Sequence, residues 1–111
     1  MNTSPNKLHH NVYVIELKRS VMKDKKFLAE NPNLDSSLPC YYVGITGLTP
    51  EERFRNHKRG YKSSRIVKKF GMRLVPDIYE KRNPMTYEDA SNKEQELAGE
   101  LRSKGHGVWQ K

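Results

Sequence analysis

The chain reads as a small mixed α/β protein, a three-stranded sheet backed by helices, and three observations predict it. Two β-branched and aromatic runs, VYVIEL (12–17) and CYYVGIT (40–46), have the composition of strands. Two later segments carry helix punctuation, with Thr49 and Thr86 placed to cap and Gly60 and Gly105 placed to stop. At 111 residues the chain can bury one modest core but not two.

Taken in order, the two strands are separated by residues 18–39, which hold Lys, Asp, Asn, Pro and Ser with few apolar residues. Connections of that length tend to be functional or mobile. A short helix over 21–30, covering an edge with Val21, Met22, Phe27 and Leu28, is one expectation for it. An idle surface excursion is the other. LTPEERFRNHKRG (48–60) has Thr49 as cap, Pro50 in the first turn and Glu52 completing a capping box. SSRIVKKFG (63–71) reads as a second short helix ending at Gly71. MRLVPDIYE (72–80) reads as a third strand, which Pro76 confines to an edge or a bulge. Thr86 then opens a long helix with Asp89 as its capping-box partner, and VWQ (108–110) closes the chain. The order β, β, α, α, β, α has no repeat or boundary, so residues 1–111 are expected to form one domain.

Composition removes several function classes. Apolar residues make up 34% of the chain and charged residues 31%, a balance that suits a globular protein with a wet surface. No stretch approaches the roughly 20 apolar residues of a membrane span. The opening MNTSPNKLHHN lacks the apolar region of a secretory leader. Cys40 is the single cysteine, which excludes an internal disulfide and makes a cytoplasmic setting the default; it reads as a small buried hydrophobe. His9, His10, His57 and His106 show no zinc-like spacing with it.

Charge says more. Nine Lys or Arg and no acidic residue lie from Arg53 to Arg73, in a chain of net charge +8. Without that stretch, 12 basic residues face 13 acidic ones. Positive charge so concentrated suits a surface that displaces counterions from a phosphate backbone. The bland alternative is a solvated Lys-rich helix face.

Individual residues stand out against this background. The apolar stripe of the last helix runs Ala90, Leu97, Ala98 and Leu101, and Glu94 lies on the same stripe. A carboxylate there is costly unless it is paired or binds a cation. Arg53 and His57, four apart, project from one helix face beside Phe54. An Arg fork suits phosphate and a His can move protons near neutral pH. Tyr13 and Tyr42 sit within the first two strands; as strand tyrosines they could simply pack, or their hydroxyls could reach the edge that Arg53 occupies. A phenol whose pKa neighbouring cations lower can take a proton from water.

The order of these residues resembles the GIY-YIG nuclease family. NVY (11–13) stands where the family has GIY, and YVG (42–44) where it has YIG. TGLTPEERFRNH follows, with Thr46, Arg53 and His57 placed as in the family's Thr…Arg-x-x-x-His segment. DASNKEQEL (89–97) matches its Ala-x-x-x-Glu-x-x-Leu helix and puts the metal-binding Glu at Glu94. The connection between the first two motifs is longer than is usual, and Gln110 is available in place of the late Asn.

The resemblance implies a central three-stranded antiparallel sheet and metal-dependent hydrolysis of a nucleic-acid phosphodiester. Glu94 would hold Mg²⁺ or Mn²⁺, and Arg53 would neutralise charge on the phosphate. Tyr13, Tyr42 and His57 would position or deprotonate water, with the general base left open among the three. A single small domain would choose its DNA through Arg55, Lys58, Arg59, Lys62, Arg65, Lys68 and Lys69, the 18–39 segment and exposed aromatics such as Tyr61. Such a surface favours single-stranded or branched DNA over a long duplex site. RNA is not excluded. The competing expectation is a non-catalytic nucleic-acid-binding module, which would need the basic patch but not the carboxylate. Neither a phosphate-cradling Gly-rich loop nor a nucleophile elbow is present to support unrelated chemistry.

Overall fold

A computed structural model of the protein describes residues 8–110. Strand β1 (Asn11–Leu17) pairs antiparallel with β2 (Cys40–Thr46) along its whole length, Tyr13 opposite Gly44 and Ile15 opposite Tyr42. β3 (Gly71–Leu74) adds antiparallel to the other side of β1, and β4 (Val108–Gln110) adds parallel to β2. The strand order is β3-β1-β2-β4. Val12, Val14, Tyr13, Ile15 and Leu17 are all buried. Both sets of alternating side chains on β1 are therefore covered, as a central strand between layers requires.

The sheet corrects the expectation of three antiparallel strands: among the described residues it has four and is mixed. VWQ is too short to announce a strand by periodicity, and its partner is distant in sequence. Its pairing is fixed instead by Asn31, which is buried. The Asn31 amide donates to Val108 O at 3.0 Å and accepts from Val108 N at 2.8 Å, as a neighbouring strand would.

Asn31 also resolves the 18–39 segment. It is neither idle nor a single helix, but a 3₁₀ turn (Arg19–Lys23) followed by α1 (Lys25–Glu30), whose N-terminus Asp24 caps. Phe27 from α1 is fully buried, with its ring stacked 6.3 Å from that of Trp109. A Cβ at Gly107 would come within 2.8 Å of the Phe27 ring, so the chain there must be bare. The segment clamps β4 onto the sheet.

The remaining helices are α2 (Pro50–Lys58), α3 (Arg65–Phe70), α4 (Pro76–Tyr79) and α5 (Tyr87–Ser103). α2 begins with the full capping box: Thr49 accepts from Glu52 N and Glu52 accepts from Thr49 N, both at 3.1 Å. Thr86 caps α5 by accepting from Asp89 N at 3.0 Å, which is the threonine half of the expected capping box without a reciprocal bond from Thr86 N to the Asp89 carboxylate. The 72–80 stretch divides at its proline. β3 does lie at an edge, but Pro76 sits in the first turn of α4, where its missing N–H is not needed, instead of in a strand or bulge. α5 buries Ala90, Leu97, Ala98 and Leu101, the stripe read from its spacing. Cys40 is buried, as expected of a small hydrophobe. No helix among the described residues is long and apolar enough to cross a membrane.

Candidate active site

The β1–β2 pairing decides where the two tyrosines stand. Cross-strand partners share a face, so Tyr13, Tyr42 and Gly44 all belong to one side of the sheet. Their rings lie 5.9 Å apart. Gly44 makes this possible: a Cβ there would come within 2.8 Å of Tyr13 Oη and 2.9 Å of Tyr42 Cε2. The glycine of YVG is thus a steric requirement of the tyrosine pair.

α2 supplies the next two groups. His57 is fully buried and its Nε2 lies 2.9 Å from Tyr13 Oη. Its Nδ1 accepts from the backbone N–H of Ser64 at 3.0 Å. An Nδ1 used as acceptor leaves the ring's proton on Nε2, which donates to the Tyr13 oxygen. Burial, with Arg53 assisting, pushes the imidazole down from its ordinary 6.5 to about 4. His57 is therefore a neutral donor that orients Tyr13. Arg53, four residues earlier, is half-buried and donates to the Lys62 carbonyl at 2.9 Å. That carbonyl is aimed by a left-handed backbone at Lys62, φ 48°, following Gly60 at φ 88°.

α5 supplies the carboxylate. Glu94 is half-buried, and Gln110 Nε2 reaches its Oε2 at 3.4 Å. Gln110 is held in turn by Arg102 Nη1 at 3.1 Å, and Arg102 Nε donates to Asn31 Oδ1 at 3.1 Å. A chain of hydrogen bonds runs from the 18–39 segment to the candidate metal ligand.

Tyr13, Tyr42, Arg53 and Glu94 line one cleft of about 510 Å³, together with Gly44, Gln110, Tyr87, Ser91 and Gln95. His57 stands directly behind Tyr13. Both phenols are pushed up, first by burial; Arg53 acts in the opposite direction and does not prevail. The expectation of a tyrosine acidified by neighbouring cations thus does not describe the protein side chains alone. No family model, curated protein or solved structure matches the chain.

The basic candidates occupy the surface around α2 and α3, and all seven are exposed. Three of them are engaged in the fold, Arg59 by donating to Asn56 Oδ1 at 2.7 Å. Lys58 Nζ donates to Lys68 O and Gly71 O, and Arg65 pairs with Asp24 at 2.8 Å. Arg55 and Arg59 flank a shallow groove with Glu52 and Asn56. Lys69 covers the Phe70 ring and Lys62 the Tyr61 ring, with Nζ at 5.3 and 5.6 Å from the centroids. The Arg53–Lys62 bond joins this basic surface to the cleft.

Sequence reasoning did not single out Tyr87, Ser91 and Gln95 for the cleft, although their spacing of four with Glu94 among them marks one helix face. Asn31 and Arg102 carried no comparable signal.

Proposed function

We propose that the protein is a metal-dependent endonuclease of GIY-YIG type, hydrolysing phosphodiester bonds in DNA. One observation carries this: four residues distant in sequence, Tyr13, Tyr42, Arg53 and Glu94, converge on one open cleft with His57 locked behind the first. Packing alone has no need to gather two phenols, a guanidinium and a carboxylate at a solvent-filled hollow.

Among the described residues no three His, Cys, Asp or Glu side chains stand together as a closed metal cage. A half-buried carboxylate on the wall of an open cleft fits a hard cation such as Mg²⁺, which keeps several waters and takes substrate phosphate oxygens as ligands. When bound, such an ion would polarise the scissile phosphate and stabilise the leaving oxygen. Glu94 would hold it, with Gln110 fixing the carboxylate. Arg53 would donate its fork to the phosphate oxygens, already braced against the Lys62 carbonyl. Tyr13 would orient the attacking water through an oxygen whose position His57 sets, with Tyr42 beside it. His57 itself has no free lone pair toward the cleft, because Ser64 N–H occupies Nδ1. It is a positioning residue.

The test is cleavage of labelled single-stranded, duplex and branched DNA in Mg²⁺, with Glu94→Ala as control. Cutting by the wild type alone is expected, with unpaired or branched DNA preferred. Cutting at equal rates by Glu94→Ala would remove Glu94 from the site. Binding without cutting on every substrate would leave a non-catalytic binding module.

A further inference from the structure

Tyr87 lies in the first turn of α5 and is 61% exposed. A large aromatic side chain left so open contributes little to the core. It nonetheless has a defined neighbour: the His10 and Tyr87 rings form an edge-to-face pair, centroids 5.2 Å apart at 75°. An edge-to-face contact restricts the swing of both rings and leaves at least one face of each uncovered by the other.

Position gives the ring a use. Tyr87 lines the same cleft as Arg53 and Glu94. Ser91 and Glu94 follow it by four and seven residues on one helix face. Seven residues of helix rise about 10 Å, which puts ring and carboxylate within a few nucleotides of one strand. The intervening side chain, Ser91, is small and polar and leaves the path between them open. The strand's phosphates would face Arg53, and an adjacent base would face Tyr87. Every base has a π-face, so an aromatic ring beside an electropositive track holds unpaired nucleotides regardless of sequence. A base within a duplex has both faces stacked and cannot use such a ring.

We infer that Tyr87, steadied by His10, is a stacking platform for an unpaired base next to the phosphate at Glu94, and so selects single-stranded DNA at this cleft. The inference rests on the nuclease reading of the cleft.

It is tested without cleavage, by equilibrium binding in EDTA to a fluorescein-labelled oligothymidylate and to a duplex of equal length. Wild type, Tyr87→Phe and Tyr87→Ala are compared, and melting curves establish that each variant is folded. Tyr87→Ala is expected to weaken single-strand binding roughly five- to hundredfold, as loss of one stacked base would. Tyr87→Phe should stay within about threefold of wild type, and duplex binding should be unchanged in both. Equal single-strand affinity in Tyr87→Ala would overturn the platform while leaving the nuclease reading standing. An equal loss on duplex and single strand would also overturn it, since no stacked duplex base can reach the ring. Failure of the wild type to bind either DNA at low salt would overturn the nuclease reading and the platform with it.

Discussion

The Tyr13 hydroxyl and the His57 imidazole are joined by a 2.9 Å bond in which the buried histidine is the donor, its other nitrogen being held by Ser64 N–H. A proton added at Nδ1 would confront that N–H, so acid must break the arrangement. His57 titrates near 4 when folded and near 6.5 when unfolded. Between those values the unfolded chain binds more protons, and stability falls as the pH is lowered. The loss from pH 6.5 to 4 should be of the order of 2–3 kcal/mol. Melting temperatures measured from pH 7 to 4 should decline more steeply for wild type than for His57→Gln. Parallel curves would remove His57 as the cause.

On the nuclease reading, the same bond bears on catalysis. A His57 that is neutral throughout the working range cannot add an inflection near pH 6.5 to kcat/KM. With both phenols raised by burial, the rate should instead climb steadily from pH 6 to 9. A bell or plateau with a midpoint near 6.5 that His57→Gln abolishes would make the histidine the base.

Gly44→Ala should be disproportionately harmful for a single methyl group. Its Cβ would press on both tyrosine rings, and overpacking of this kind costs about 1–3 kcal/mol. In a domain of this size that is a fall of several degrees in Tm. Cleavage should fall further than the lost stability explains, because Tyr13 is moved from His57. Wild-type Tm and rate together would contradict the packing.

Lys62→Gly should stabilise. A left-handed lysine costs about 1–2 kcal/mol, of which glycine returns part as lost freedom of the unfolded chain, for a net gain near 0.5–1 kcal/mol. The carbonyl that holds Arg53 is backbone and survives the change. Lys62→Ala, which removes the charge and keeps the strain, is the control. Comparing the two by thermal melting separates backbone from charge.

Gln110→Ala should raise the Mg²⁺ concentration needed for half-maximal cleavage about 10- to 100-fold, as loss of a partner behind a metal ligand typically does. Arg102→Lys should act in the same direction, because an ammonium cannot serve Asn31, Gln110 and Val108 O at once. A metal titration unchanged in both variants would detach the chain of bonds from the site.

What could be read from the sequence follows the range of the forces involved. Thr49–Glu52 and the α5 stripe are local, set by spacings of three and four, and they hold in the structure. Tyr13, Tyr42, Arg53 and Glu94 were found one at a time as charges or polar tips in awkward places, and they share a cleft. The edge position of β3 is legible from Pro76, but the start of α4 there is not, because a proline that ends a strand and one that opens a helix look alike in one dimension. β4 and the role of Asn31 depended on hydrogen bonds across 77 residues, which no window of sequence displays. The donor role of His57 hinged on a backbone N–H seven residues away, equally silent in the side-chain pattern.

The Asn31 amide has one more consequence. By occupying both the N–H and the C=O of Val108 on the outer side of β4, it removes the bonds a neighbouring copy would use to lengthen the sheet. Polyanions draw basic proteins together at high local concentration, the condition under which exposed strand borders fuse into ribbons. Asn31→Ala, which frees the Val108 N–H while Arg102 still holds Val108 O, should therefore show itself less in dilute solution than as turbidity when long DNA crowds the protein, because a border that two side chains had sealed would then be half open.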